Sequence, residues 1–355
     1  MVTVNSRIPL GIVAGISAAC VFLVGPVGSR AAGCDPAGNI RFICDQLAPE
    51  DLSLVPGGEW VISSGMAANG AIRAISLRDR KTTVLFPGAS SKVRRDTKTY
   101  PSCPGPIAPA EGDKFRAHGL YLRAGKNAVH TLWMVHHGDR ESIEVFELDA
   151  RARPPVLTWT GCAVAPEPIG LNSVVGLPDG GFVTTNFSPR GQDAAARTRM
   201  MAGENNGELW EWHTASDWKK VPGSEAAGPN GLEISSDGRW LYIGGWGSQS
   251  VIRLSRGQTP VRRESVPAGF RVDNVRMMPD GSILAAGQGG TAAAQTSHVG
   301  RWNTKTMKFE ELIRYPYGDA FSVGTVAIQV GKEIWVGAVR GDRIAVFPAT
   351  QQQTQ

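Results

Sequence analysis

The sequence predicts an all-β fold, a six-bladed β-propeller of four-stranded antiparallel blades, from three observations: frequent Gly and Pro, a recurring turn followed by an apolar strand, and equal register among the repeats. Forty-three Gly and 23 Pro among 355 residues leave little room for long helices and suit short strands joined by turns. Pro56-Gly57-Gly58, Gly125-Lys126-Asn127, Pro178-Asp179-Gly180, Ser236-Asp237-Gly238, Pro279-Asp280-Gly281 and Gly331-Lys332 are the turns. Each leads into an apolar strand: Trp60-Val61-Ile62, Leu132 to Val135, Phe182-Val183, Trp240 to Ile243, Ile283-Leu284 and Ile334-Trp335-Val336. Third strands follow at Ala71 to Ile75, Ile143 to Phe146, Glu208 to Trp210, Val251 to Leu254, Val299 to Trp302 and Ile344 to Phe347. Fourth strands read clearly only at Thr83 to Phe86 and Val156 to Trp159; the later ones are more polar. A sandwich is the competing arrangement, but repeated meanders favour radial closure, which protects the sheet edges.

Composition excludes other classes. With 42% hydrophobic and 19% charged residues the chain is neither disordered nor collagen-like. Net charge is +5, and removing residues 1–33 deletes only Arg7 and Arg30; no basic stripe argues for nucleic acid. From Ile8 to Ser29 no charge interrupts a largely apolar stretch flanked by Arg7 and Arg30, the pattern of an export signal or signal anchor. Residues 1–33 are therefore expected to be a leader, 34–350 the propeller and 351–355 a polar tail, with an extracytoplasmic location: secreted, periplasmic or held at a membrane through residues 8–29. Cys20 is followed by more apolar residues, unlike a lipidation site. Cys34, Cys44, Cys103 and Cys162 lie beyond the leader and allow one or two disulfides in any of three full pairings. No C-x-x-C spacing supports thiolate metal binding.

Six residues upstream of the first residue of each turn, or of Ala124 in the second repeat, stand Glu50, His118, Asn172, Asn230, Asp273 and Thr325. All six are polar, although the repeats differ in length. The first strand of every propeller blade lines the central channel, so equal register gathers these side chains in a ring at one mouth. Glu50, Asn172, Asn230, Asp273 and the adjacent Asn274 offer oxygen donors only. Ca²⁺ takes about 6 to 8 oxygens in flexible geometry, whereas Mg²⁺ demands a tighter octahedron and Zn²⁺ prefers nitrogen or sulfur. Calcium is the expected cofactor. Each Asn or Asp alone reads as a strand or turn cap; their shared register is what argues for a site.

His118 begins the first strand of the second repeat, and His137 ends the strand running back beside it. Paired imidazoles near a cation can take a proton from an attacking water and pass it outward, which suggests ester or lactone hydrolysis. His136 is read as a neighbour, not a catalyst. No G-x-S-x-G elbow, Walker loop or H-E-x-x-H helix is present. Segments 92–109 and 188–205 are read as walls or lids of the site.

Taken in order, Glu50-Asp51 before a Leu-x-Pro-Gly turn, His118-Gly119-Leu120, Val135-His136-His137, Leu171-Asn172, Asn230-Gly231-Leu232 and Val272-Asp273-Asn274 resemble the motifs of the paraoxonase or arylesterase family of calcium-dependent, six-bladed propeller hydrolases. The resemblance spans most of the chain after the leader. It implies a catalytic calcium on Glu50, Asn172, Asn230, Asp273 and Asn274, a His118–His137 dyad that activates water, and lactones as substrate, with aryl esters and organophosphates as further substrates. For the family's second, structural calcium it implies Asp51, the Leu120 carbonyl and the position of Ser173, where the family has an acidic residue. The family's covalent closure has no counterpart, since no cysteine follows Cys162; closure is expected from strand pairing and packing. The gluconolactonase and senescence-marker group and the strictosidine-synthase-like group resemble the chain in part. A non-catalytic propeller that binds a ligand or protein, with calcium only stabilising it, is the alternative from another class.

Overall fold

Turn chemistry closes the first hairpin of each blade where the sequence places it. Gly58 and Gly281 stand at φ 72° and 80°, a region in which a side chain would be strained, so the chain reverses there at little cost. The structure is a computed structural model, and it describes residues 33–88, 91–107, 114–291, 293–318 and 320–349. The expected leader, apart from Gly33, and the expected polar tail lie outside the described residues.

Strand β1 (Arg41–Ile43) comes first in the chain but belongs to the last blade. Blade 1 is β2 (Leu52–Leu54), β3 (Trp60–Ser63), β4 (Ile72–Ser76) and β5 (Thr82–Phe86). The short β6 (Lys92–Val93) pairs parallel with the outer strand of blade 2, which is β7 (Phe115–Arg123), β8 (Val129–Gly138), β9 (Ser142–Asp149) and β10 (Val156–Val164). Blade 3 is β11 (Leu171–Gly176), β12 (Phe182–Asn186), β13 (Glu208–His213) and β14 (Asp217–Lys220), with helix α1 (Ala194–Met201) between β12 and β13. Blade 4 is β15 (Pro229–Ile234), β16 (Trp240–Gly245), β17 (Ser250–Ser255) and β18 (Arg263–Pro267). Blade 5 is β19 (Arg271–Met277), β20 (Ile283–Thr291), β21 (Ala294–Asn303) and β22 (Lys308–Pro316). Blade 6 is β23 (Gly324–Val330), β24 (Glu333–Ala338) and β25 (Ile344–Pro348), completed by β1.

Among the described residues the ring closes by strand pairing, with no disulfide between its first and last strands. Arg41 pairs with Val346 and Ile43 with Ile344, so the N-terminal strand becomes the outer strand of the C-terminal blade. Behind this seam Leu52, Val61 and Ile75 of blade 1 pack against Val326, Trp335 and Ile344 of blade 6. Burying one such aliphatic side chain contributes roughly 1.5–3 kcal/mol, so the interface itself holds the circle shut. Similar apolar wedges join the other blades, as where Leu232 and Leu241 meet Val175 and Val183.

The outer strands explain why the fourth positions were faint in sequence. Strands β14 and β18 are exposed along most of their length, so apolar alternation has no core to serve there. Disulfides pair Cys34 with Cys44 across β1 and Cys103 with Cys162 across 59 residues. The second one ties the segment after β6 to β10, the outer strand of blade 2. Two disulfides are the mark of a protein from an oxidising environment. No helix among the described residues is long and apolar enough to cross a membrane.

Candidate functional site

Five ring positions sit inside bulges of the inner strand pair of their blade. Register shifts between Ala117 and Leu120, Leu171 and Val174, Pro229 and Leu232, Val272 and Val275, and Gly324 and Val326 bracket His118, Asn172, Asn230, Asp273 and Thr325. A bulge bends its strand and re-aims a side chain, which turns these residues toward the channel. Glu50 lies just before β2, its amide donating to the Ala48 carbonyl at 2.7 Å. Neighbouring blades approach closely here. A Cβ on Gly119 would lie 2.4 Å from the Asn172 carbonyl oxygen, and one on Gly231 would lie 2.5 Å from Asn274 Cα, so both positions need glycine.

Glu50, His118, Asn172, Asn230 and Asp273 line one cavity of about 650 Å³. Thr325 does not; its hydroxyl donates to the Glu50 carbonyl at 2.7 Å and holds that residue in place. Asn274 also serves Glu50, donating from Nδ2 to Oε1 at 2.8 Å, and is almost completely buried. Glu50 Oε2, Asn172 Oδ1 and Asn230 Oδ1 are buried and have no hydrogen-bond partner. Unpartnered buried oxygens are costly unless something else satisfies them. Asp273 accepts from Gln288 Nε2, whose other bond goes to the Gly324 carbonyl at 2.9 Å.

Burial pushes both the Glu50 and Asp273 carboxyls well above the usual carboxylate range, and the Glu50 charge raises Asp273 further. A doubly charged cation would reverse that bias by neutralising both. Among the described residues no group of three or more His, Cys, Asp or Glu side chains is placed to hold a metal ion by itself; the other donors of this set are carboxamide oxygens. Such a set fits a hard, oxygen-loving ion and not zinc.

Beside the oxygens runs a histidine relay. His118 Nδ1 lies 2.8 Å from His137 Nε2, and both His137 Nδ1 to Glu141 oxygen distances are 2.9 Å. The carboxylate fixes the tautomers: His137 donates from Nδ1 to Glu141, so its Nε2 accepts from His118 Nδ1–H. That leaves His118 Nε2 as a free lone pair, 3.4 Å from Glu50 Oε2 and facing the cavity. Burial lowers both imidazoles below their ordinary pKa, which keeps them neutral near pH 7. His136 has no such freedom, being fully buried between the Arg140 and Lys114 carbonyls at 3.0 and 3.2 Å.

Glu141 escaped the sequence reading. It sits in the turn between β8 and β9, four residues after His137, and its Oε1 also accepts from the Leu171 amide of the next blade at 2.9 Å. A His-x-x-x-Glu pair across a hairpin turn was the available signal. Glu141→Gln is expected to lower kcat by about tenfold or more with little change in KM, because the amide no longer selects the productive tautomer. A raised KM with kcat unchanged would assign Glu141 to binding instead.

The residues expected to hold a second cation are otherwise engaged. Asp51 and the Leu120 carbonyl do meet, but around the Arg276 guanidinium: Nη2 bonds Asp51 Oδ2 and, at 3.0 Å, the Leu120 oxygen. Nε and Nη1 reach the Leu52 and Val275 carbonyls at 3.1 and 2.7 Å. Ser173 Oγ accepts from the Leu232 amide at 3.1 Å, linking blades 3 and 4. Arg276 supplies the positive charge these oxygens need and would repel another, so Asp51, Leu120 and Ser173 do not fit a second ion.

No family model and no curated protein matches the chain. Among solved structures, a luciferin-regenerating enzyme matches with a TM-score of 0.51 at 11% identity, covering 86% of this chain and 93% of that one. The PQQ-bound aldose sugar dehydrogenase of Streptomyces coelicolor matches with a TM-score of 0.50 at 12% identity, covering 86% of this chain and 97% of that one. At such identities the likeness is one of fold.

Proposed function

We propose that this protein is an exported, calcium-dependent hydrolase of lactones and aryl esters, of the paraoxonase type. One observation carries the reading: three unpartnered buried oxygens and a second buried carboxylate converge on the cavity that receives the free Nε2 of a tautomer-locked histidine pair. Glu50, Asn172, Asn230 and Asp273 would hold the ion, with Asn274 orienting Glu50. When bound, calcium supplies Lewis acidity toward the substrate carbonyl and stabilisation of developing negative charge.

The chain's own groups handle the proton. His118 Nε2 takes it from water as the water oxygen adds to the carbonyl carbon. His118 Nδ1–H points at His137, and the Glu141 carboxylate stabilises positive charge on the pair. The same proton returns to the leaving alkoxide or phenoxide when the acyl–oxygen bond breaks. Met66, Phe187, Trp246, Val323 and Val339 give the cavity an apolar wall suited to an acyl or aryl group.

Chelation followed by calcium addition, assayed on lactones, aryl esters and phosphotriesters, tests the reading. Turnover is expected to vanish and return with calcium, and the melting temperature to fall on chelation; an ion present at 100 times its Kd contributes about 2.7 kcal/mol. Asp273→Ala should lose calcium affinity and turnover together. Calcium-dependent stability without turnover of any substrate would instead support a non-catalytic binding propeller.

A further inference from the structure

The cavity wall opposite in charge to the oxygen ring is built on Trp246. Arg271 stacks on this indole with Cζ 4.6 Å from the ring centroid, and Arg197 of α1 approaches it at 5.8 Å. Both arginines line the same cavity as Glu50 and Asp273. The indole is held rigidly: Phe187 meets it edge-on at 5.8 Å, and its Nε1–H donates to Gln288 Oε1 at 2.8 Å. Gln288 is the residue that also bonds Asp273, so the aromatic platform and the oxygen ring are mechanically one unit.

Stacking uses the face of a guanidinium and leaves its edge donors open. Arg271 Nη1 is buried with no hydrogen-bond partner, and Nη2 has only a 3.5 Å approach to the Met201 carbonyl. Among the described residues neither Arg271 nor Arg197 has a carboxylate partner. Two cations gathered on one ring repel each other unless an anion joins them. Arg271 and Asp273 lie two residues apart on β19, roughly 7 Å along a strand. One small substrate can span that distance.

We propose that Arg271 and Arg197 form an anion-binding subsite, so that the substrate is a lactone or ester carrying an oxyanion, a carboxylate or a phosphate, remote from the bond that is cleaved. This rests on the hydrolase reading for the reaction but not for the binding. The apolar wall then positions the carbon skeleton between the ring of oxygens and the two guanidinium groups.

The test compares γ-carboxy-γ-butyrolactone with the similarly sized neutral γ-valerolactone, and measures calorimetric binding of glutarate and of inorganic phosphate to the calcium-loaded protein. The anionic lactone is expected to have the higher kcat/KM, and Arg271→Met to reduce the anionic-to-neutral ratio at least tenfold, with Arg271→Lys recovering part. Glutarate or phosphate affinity should fall at least tenfold in Arg271→Met and also weaken in Arg197→Met, a change on the exposed face of α1 that spares the core. Tighter glutarate binding identifies a carboxylate substrate, and tighter phosphate binding a phosphate one. Equal ratios and equal anion affinities in wild type and variants would overturn the subsite. If no lactone is hydrolysed yet anion binding is lost in Arg271→Met, the subsite stands and the hydrolase reading falls.

Discussion

His118→Gln is expected to reduce lactone turnover by on the order of a hundredfold or more, while the melting temperature stays nearly unchanged. General-base catalysis contributes roughly 10²–10⁴-fold, and in this relay only His118 Nε2 has a lone pair free toward the cavity. Glutamine has no basic nitrogen. It does have an amide N–H that can replace His118 Nδ1–H as donor to His137, and it fills most of the same buried space. The variant therefore separates chemistry from folding. Loss of turnover with a preserved melt and preserved calcium binding would assign His118 the proton; unchanged turnover would remove it from the mechanism and leave the oxygen ring to act with another base.

Arg276→Met should be the most destabilising substitution in the channel, at about 3–5 kcal/mol, the usual cost of stranding one member of a buried ion pair. Arg276 is 9% exposed and Asp51 is completely buried. Removing the guanidinium leaves the Asp51 carboxylate with only the Leu52 and Leu120 amides at 2.8 and 2.7 Å, and strips the carbonyls of Leu52, Leu120 and Val275 of their shared donor. Those carbonyls come from blades 1, 2 and 5, so the loss loosens the hub, not a single blade. Against a total stability of about 5–15 kcal/mol for an ordinary domain, this is a large share. Denaturant midpoints check it, and Asp51→Asn combined with Arg276→Met should recover part of the loss, since the stranded charge is then gone. A cost below about 1 kcal/mol for Arg276→Met would mean that the pair does not anchor the channel.

Turns and inner strands were legible because their signals are local. Asp280-Gly281 and Ile283-Leu284 lie side by side in sequence and meet in one hairpin, and the distance from a turn back to the channel is set by strand length alone. Equal register therefore placed Glu50, Asn172, Asn230 and Asp273 on one cavity, although the bulges that aim most of them were not visible. Asn274 and Thr325 share the region, but they support Glu50 instead of lining the cavity. The expectation for segment 188–205 found its match in α1, which brings Arg197 and Met201 to the cavity; of the other segment, none of the described residues 92–107 lines that cavity, and Cys103 is tied to the outer strand of blade 2.

From the residues alone came the all-β class, the blade count, the polar ring and the histidine pair, all of which follow from the period of strands and the chemistry of turns. The closing partner of blade 6, the disulfide pairing, the guanidinium at Asp51, the carboxylate behind His137 and the two arginines on Trp246 were settled only in three dimensions. Each of these joins residues far apart in the chain or on facing sides of a turn. Their meeting depends on how the blades circle and twist about the axis, and no local pattern of side chains encodes that angle.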